Sequence, residues 1–256
     1  MSLAMTELLE QVCAIARDAG RVVMEVYSTD FAVRGKDDAS PVTEADERAE
    51  AVIVRALHTL TPDIPVVAEE AAAAGRTPDV ESRFWLVDPL DGTKEFVSRN
   101  GEFTVNIALI QDGCPVLGVV FAPALGRLFA GMLHGGAFAE DATGRQAIQC
   151  RRVPAAGLTV VASRSHADSA AISEFLDGRK VASLVNAGSS LKLCMVAVGE
   201  ADLYPRLGRT MEWDIAAGHA VLLAAGGRLT DLAGTELRYG KRGFDNPHFA
   251  ASGLAD

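Results

Sequence analysis

Two carboxylates three residues apart end an apolar run in the segment Phe84-Trp-Leu-Val-Asp88-Pro-Leu-Asp91-Gly-Thr93. Carboxylates held together at a strand end repel each other, and each raises the pKa of the other unless a cation lies between them. Oxygen ligands of this kind suit Mg²⁺ rather than zinc. Gly92 permits close backbone approach, and a short helix beginning at 92–93 would offer N–H groups to a phosphate. The segment favours adjacent metal and anion sites over an acidic turn in which Asp91 only caps a helix.

Other acidic residues stand where the same site could use them. Glu69 and Glu70 follow a short apolar run, and parallel neighbouring strands about 4.8 Å apart would bring Glu69 beside Asp88. Asp214 opens an apolar helix, where an acid also stabilises the helix dipole. Asp46 stands in Thr43-Glu-Ala-Asp46, which fits a helix capping box. Taken alone, each of these acids is better explained by a surface loop or by helix capping.

Three polar segments in the C-terminal half are candidates for anion binding. They are Ser163-Arg-Ser-His166, Gly188-Ser-Ser-Leu-Lys192 and Leu203-Tyr-Pro-Arg206. The first contains one of only five histidines. The second precedes an apolar helix, so capping by Ser189 or Ser190 is the plain alternative to binding a phosphate.

Hydrophobic periodicity predicts the elements that would position these residues. Helical spacing predicts helices at 5–27 and from Thr43 onward, separated by a polar stretch at 34–41 that suits a mobile loop. Short apolar runs predict strands at 64–68, 84–87, 103–110, 116–121, 128–133 and 136–139. Strands at 158–162 and 181–185 then alternate with helices at 168–178, 190–198 and from 211 to a C-cap at 226–227. This order predicts an α/β fold with mixed sheets and two subdomains, 1–153 and 154–256.

Composition limits the classes of function. The 256 residues carry a formal charge of -10, which argues against binding a nucleic acid polymer. The four cysteines are scattered without metal-ligand spacing, so free thiols in a reducing compartment are expected. No secretory signal and no apolar run near the roughly 20 residues of a transmembrane segment is present. The cytoplasm is therefore the expected location.

Together, four motifs resemble those of the Mg²⁺-dependent, lithium-sensitive phosphatases of the inositol monophosphatase superfamily. In order and approximate spacing these are Pro41-Val-Thr-Glu-Ala-Asp46, Ala68-Glu-Glu70, Asp88-Pro-Leu-Asp91-Gly-Thr93 and Trp213-Asp214. The resemblance covers nearly the whole chain, with Ala68 where the superfamily often has Gly. Residues 94–108 and the three C-terminal polar segments are similar to the CysQ-type branch, the 3′(2′),5′-bisphosphate nucleotidases. The resemblance implies a layered αβαβα sandwich of the inositol monophosphatase/fructose-bisphosphatase type, with the site between the subdomains.

The resemblance also implies a role for each site residue. Glu69, Asp88 and the carbonyl of Leu90 would hold one Mg²⁺, Asp88, Asp91 and Asp214 a second, and Glu69 a looser third through water. In such sites the ions clamp the attacking and leaving oxygens of phosphoryl transfer. Thr93 would orient the attacking water, and Asp46 or Glu69 would take its proton. The implied substrate-binding residues are Glu69, Leu90, Asp91, Gly92, Thr93, Ser189, Lys192 and Asp214.

The implied reaction is removal of the 3′-phosphate from 3′-phosphoadenosine 5′-phosphate, a small nucleotide, to leave AMP. Lys192, Arg164 and Arg206 are candidates to hold the remaining 5′-phosphate. An inositol monophosphatase or a broad sugar-phosphate phosphatase on the same scaffold stays open, because the metal motifs are shared. A non-catalytic nucleotide-binding protein would not need the water-activating residues, and an interaction protein would leave the clustered acids unexplained. A homodimer and peripheral contact with the cytoplasmic face of the inner membrane also stay open.

Overall fold

The computed structural model describes residues 4–35, 41–164 and 169–254. Its α-helices are α1 (Met5–Tyr27), α2 (Glu44–Leu60), α3 (Glu69–Ala73), α4 (Thr93–Val97), α5 (Ser169–Phe175), α6 (Leu191–Ala197) and α7 (Glu212–Ala224). Its strands are β1 (Val33–Gly35), β2 (Pro41–Thr43), β3 (Val66–Ala68), β4 (Arg83–Asp91), β5 (Thr104–Gln111), β6 (Cys114–Ala122), β7 (Arg127–Met132), β8 (Gly136–Asp141), β9 (Gly144–Ile148), β10 (Leu158–Ser163), β11 (Val181–Ala187), β12 (Leu203–Arg206), β13 (Arg228–Asp231) and β14 (Phe249–Ser252). None of the helices in these ranges combines the length and apolarity that crossing a bilayer requires.

Helices α1 and α2 form the outer layer of the larger sheet. The apolar side of α1 is buried, as the helical periodicity predicted, and includes Val12 and Val23. Thr43 caps α2 as predicted, because its hydroxyl accepts a hydrogen bond from the N–H of Ala45 at 3.2 Å. Burial of one aliphatic side chain of this kind contributes about 1.5–3 kcal/mol. The packing of this layer thus anchors the helix that carries Asp46.

The larger sheet has the strand order β3-β4-β5-β6-β7-β8-β9. Strands β3 and β4 are parallel, and the other neighbours are antiparallel. The central strands are buried on both faces, so that Ile107 joins the apolar cluster with α1 and α2 while Ala108 joins the cluster on the opposite side. A strand buried on both faces reads as a continuous apolar run, which is why β4 to β6 could be predicted.

Helices α6 and α7 fill the space between the larger sheet and a smaller one with the order β11-β10-β12-β14-β13. Gly118 on β6 permits this close packing, because a Cβ there would lie 2.3 Å from the carbonyl oxygen of Ala217 on α7. Helix α5 connects the parallel strands β10 and β11 and buries Ile172. The layers are thus α1/α2, larger sheet, α6/α7, smaller sheet and α5, and the predicted αβαβα sandwich is confirmed.

Several elements differ from the sequence-based prediction. Strand β9 was not predicted because Gly144-Arg-Gln-Ala-Ile148 lies mostly exposed and lacks an apolar run. The short strands β12 to β14 were also missed, since pairing with distant segments defines them. The predicted loop at 34–41 is wrong at its ends, which belong to the antiparallel pair β1–β2. Its centre, 36–40, and His166 lie outside the described residues.

One continuous apolar core runs through both predicted subdomains. The larger sheet lies within 66–148 and the smaller one within 158–252. One apolar cluster nevertheless contains Phe84 of the first sheet, Val161 of the second and Val221 of α7. The division between residues 153 and 154 therefore stays a prediction.

Candidate metal and phosphate site

The ends of strands β3 and β4 bring the first two acids together. These strands are parallel, with Ala68 opposite Val87, so Glu69 and Asp88 come next at the same end of the strand pair. Glu69 begins the short helix α3 instead of lying in a surface loop, and Glu50 fixes that helix by accepting the N–H groups of Glu70 and Ala71 at 2.7 and 2.9 Å. The sequence expectation that Glu69 would lie near Asp88 therefore has its physical basis in the strand register.

Asp88 and Asp91 lie on one strand rather than on the two sides of a turn. Strand β4 continues through Pro89, and the β4–β5 register shifts between Asp88 and Asp91. Asp88 is 1% exposed, and its Oδ1 accepts the N–H of Leu90 at 3.0 Å. This irregularity lets a buried strand present both carboxylates and the intervening main chain to one cavity.

Asp214 reaches the same cavity from the first turn of α7. Its Oδ2 accepts the N–H of Met211 at 2.8 Å, which caps the helix. The adjacent Trp213 packs against Phe244, with ring centroids 5.9 Å apart. Capping and a functional position are therefore compatible for Asp214, because the cap uses one carboxylate oxygen.

Asp46 also combines two contacts. Its Oδ2 accepts the N–H and the hydroxyl of Thr43, both at 2.8 Å, and this completes the predicted capping box. Its Oδ1 lies 3.3 Å from Thr93 Oγ1. Thr93 begins α4 directly after Gly92, whose φ of 88° is the left-handed conformation that favours glycine. The structure thus brings Asp46 and Thr93, two of the three residues predicted to activate the water, within hydrogen-bonding distance.

The buried carboxyl groups repel one another. Desolvation by burial raises the pKa of Asp88 and of Asp214 well above the usual range, and the neighbouring carboxylates raise both further. Burial also raises the pKa of Asp91, although Lys192 and hydrogen bonds from Ser190 and Asn106 oppose it.

A divalent cation fits the chemistry of these groups. The donors are oxygens only, and a cation among them would offset the repulsion that raises their pKa values. Within the described ranges, no three His, Cys, Asp or Glu side chains form a group already spaced to hold a metal together. The donor chemistry therefore fits Mg²⁺, while the individual ligands stay predictions.

A cavity of about 590 Å³ joins the acids to cationic groups of the C-terminal half. Its lining includes Glu69, Asp88, Leu90, Asp91, Gly92, Thr93, Ser189, Lys192, Arg206 and Asp214. Lys192 is buried, donates to the carbonyl of Ser189 and lies 5.4 Å from the ring centroid of Tyr204. Burial lowers the pKa of Lys192 to about 8, against the opposing attraction of Asp91.

One expectation in the C-terminal half, a phosphate-binding role of Arg164, needs correction, and so does the alternative of helix capping by Ser189 or Ser190. Arg164 does not line this cavity, because its guanidinium binds both carboxylate oxygens of Glu102 at 2.8 Å. Neither Ser189 nor Ser190 caps α6 through its side chain. The hydroxyl of Ser190 instead contacts Asp91, and sequence reasoning missed this together with Asn106 and Glu102. The contacts of Glu102 with Arg164, of Asn106 with Ser190 and of Ser190 with Asp91 span 62, 84 and 99 residues of the chain, so local patterns carry no signal for them.

Comparison with known proteins places these features in a family. A family model described as the inositol monophosphatase family matches residues 4–255. The 3′(2′),5′-bisphosphate nucleotidase CysQ of Salmonella typhimurium is 50% identical over 247 residues, which cover 94% of this chain and 98% of that protein. CysQ of Escherichia coli K12 is 49% identical over 250 residues, covering 96% and 99%. The crystal structure of CysQ from Bacteroides thetaiotaomicron matches with a TM-score of 0.82 and 34% identity over 97% of both chains.

These similarities extend over nearly the whole chain, as the order of the motifs implied. The predicted resemblance to CysQ-type bisphosphate nucleotidases, and with it the prediction of a phosphatase, is confirmed. On its sequence and its fold, this chain belongs to the inositol monophosphatase family.

Proposed function

We propose that this protein is a Mg²⁺-dependent phosphatase that converts 3′-phosphoadenosine 5′-phosphate to AMP and phosphate. One observation carries the proposal: a single cavity is lined by the carboxylates of Asp88, Asp91 and Asp214 and by the cations Lys192 and Arg206. Carboxylates alone would serve any phosphate ester once metal is bound. Lys192 and Arg206 add positive charge beyond that of the proposed metal ions, and this suits a substrate with two phosphates. The names of the relatives that are 50% and 49% identical to this chain support the same substrate class.

The metal ligands would come from both halves of the chain. Glu69, Asp88 and the carbonyl of Leu90 would hold one Mg²⁺, and Asp88, Asp91 and Asp214 a second, with Glu69 supporting a third through water. When bound, these ions supply Lewis acidity toward the phosphate and lower the pKa of water. Hydrogen bonds already hold Asp88 through Leu90, Asp91 through Ser190 and Asp214 through Met211, which limits the entropy lost on binding.

Thr93 and Asp46 would prepare the attacking water. The Thr93 hydroxyl has one proton, and acceptors lie 3.3 Å away on Asp46 Oδ1 and on the carbonyl of Leu90. Donation by Thr93 leaves its lone pairs available to accept a hydrogen bond from water and so fix its direction. Asp46 or Glu69 would then take the water proton. Glu69, Leu90, Asp91, Gly92, Thr93 and Asp214 line the cavity where the scissile phosphate would lie.

Lys192, Ser189 and Arg206 would hold the 5′-phosphate. Lys192 brings a buried positive charge, which anion binding would stabilise. Among the described residues, Ser189 Oγ and Arg206 Nε are buried atoms without a hydrogen-bond partner. Buried donors without a partner cost free energy, and a phosphate would give both of them acceptors.

Turnover of a substrate panel tests this function. Phosphate release from 3′-phosphoadenosine 5′-phosphate, AMP and inositol 1-phosphate would be compared with Mg²⁺ and with chelator. We expect no turnover without metal and a kcat/KM at least tenfold higher for the bisphosphate. Equal kcat/KM for all three esters would contradict the nucleotidase and leave a general phosphatase of the same family. A homodimer, a cytoplasmic location and contact with the inner membrane stay predictions.

A further inference from the structure

The hydroxyl of Ser190 joins the two halves of the carboxylate cluster. Ser190 Oγ lies 3.0 Å from Asp91 Oδ2, on strand β4, and 2.5 Å from the carbonyl oxygen of Asp214, in the first turn of α7. Ser190 is 4% exposed and immediately precedes α6, where its side chain makes no capping bond. A buried hydroxyl therefore contacts both the carboxylate of Asp91 and the main chain of Asp214, which arrive from different layers of the fold.

Asn106 fixes the direction of these hydrogen bonds. Its side-chain amide Nδ2 lies 2.9 Å from Ser190 Oγ and 3.4 Å from Asp91 Oδ2, and the residue is 1% exposed. An amide nitrogen only donates, so Ser190 Oγ accepts from Asn106 and directs its single proton toward Asp91 or the Asp214 carbonyl. Asp91 Oδ2 thus lies within reach of two donors, the Ser190 hydroxyl and the Asn106 amide.

We propose that Ser190 is a positioning residue for the metal centre and that Asn106 acts through it. The pair would hold Oδ2 of Asp91 in a hydrogen bond, direct its Oδ1 toward the cation, and fix the distance between Asp91 and Asp214. The inference rests on the proposed function, because it requires these acids to bind metal. Hydrogen bonds behind metal ligands commonly change metal affinity by about 10–100-fold.

The affinity of the full chain for Mn²⁺ tests the inference without measuring turnover. The electron paramagnetic resonance signal of free Mn²⁺ gives the concentration of the unbound ion. We expect Ser190→Ala to weaken Mn²⁺ binding at least tenfold while kcat at saturating metal changes much less. Ser98→Ala is the matched control, since its part-buried hydroxyl bonds only the carbonyl of Glu95 at 3.2 Å and lies outside the cavity lining. Mn²⁺ affinity within twofold of wild type in a folded Ser190→Ala protein would overturn the proposal.

Asn106→Ala tests the same chain of hydrogen bonds from its other end. It also keeps the proposal testable if the Ser190→Ala protein does not fold. We expect a smaller loss, about threefold to tenfold, and a double variant no weaker than Ser190→Ala alone, because both substitutions break one chain. Losses that multiply in the double variant, or an Asn106→Ala protein with unchanged affinity, would contradict the role of Asn106. If wild type itself bound no Mn²⁺, the proposed metal-dependent function would fail, which differs from a failure of Ser190 alone.

Discussion

The two sides of the cavity are built by different means. Asp88 and Asp91 are held by the register of the larger sheet, opposite Asn106 and Thr104 of β5. Ser189 lies instead in a turn with φ of 46°, in the left-handed region that non-glycine residues seldom adopt. The proposed metal chemistry would thus depend on main-chain pairing in the centre of the protein, whereas the proposed recognition of a second phosphate would depend on a turn held by side chains.

The largest effect is expected on the side of the cavity built from the sheet. Asp88→Asn removes one negative charge from a carboxylate proposed to serve two ions, so we expect kcat/KM to fall by about 10³ or more. Asp18→Asn is the control, because Asp18 pairs only with Arg21 on the exposed side of α1. Steady-state phosphate release with saturating Mg²⁺ measures the loss. Wild-type turnover by folded Asp88→Asn protein would contradict the two-metal assignment.

The side built from the turn should affect selectivity rather than chemistry. One charged hydrogen bond to phosphate contributes about 1.5–3 kcal/mol. Lys192→Ala should therefore reduce the preference for 3′-phosphoadenosine 5′-phosphate over inositol 1-phosphate by about tenfold to a hundredfold. Lys180→Ala is the control, since Lys180 donates to the carbonyl of Ala155 at an exposed position. The measurement is the ratio of the two kcat/KM values. An equal loss of kcat/KM on both substrates would mean that Lys192 acts in hydrolysis itself and not in recognition of the second phosphate.

The pKa of Lys192, about 8, gives this preference a pH dependence. The amine is charged below this pKa and neutral above it, so its contribution is present at pH 7 and is lost as pH rises through 8. At pH 9 about a tenth of the free enzyme carries the charge, and the preference should fall severalfold between pH 7 and 9. Dividing the two kcat/KM profiles removes effects common to both substrates. The same quotient should be flat for Lys192→Ala, and a rise with pH in wild type would contradict the sign.

The sequence predicted the sheet-built side better than the turn-built side for a physical reason. Burial of β4 on both faces produced an apolar run, and the acids at its end stood out against it. The parallel pairing of β3 with β4 then followed from strand geometry. By contrast, Ser190 looked like a helix cap and Arg164 like an anion ligand, because each side chain's partner was distant in the sequence. Side-chain hydrogen bonds across the layers are set by packing of the whole fold.

The smallest effect is expected at Glu102, which holds the turn without lining the cavity. Its Oε2 accepts the N–H of Gly188 at 2.8 Å while both oxygens bind Arg164. Partial burial acts to raise the pKa of Glu102, but Arg164 and the Gly188 N–H lower it overall, so Glu102 is a carboxylate at neutral pH. Gly188 approaches Glu102 so closely that a Cβ there would lie 2.6 Å from the Glu102 carbonyl oxygen.

Glu102→Gln should therefore loosen the Ser189 turn while leaving the carboxylate cluster in place. A glutamine keeps one acceptor but loses the charge, so either Arg164 or Gly188 binds less well. We expect KM for 3′-phosphoadenosine 5′-phosphate to rise about threefold to tenfold, less than the loss of a whole charged hydrogen bond of about 1.5–3 kcal/mol would cause, with kcat nearly unchanged. Glu200→Gln is the matched control, since Glu200 accepts from Arg127 at 3.0 Å and that ion pair also joins the two halves of the chain. Comparable effects of the two variants would mean that Glu102 contributes general surface charge, and recognition of the second phosphate would then not depend on how the turn is held.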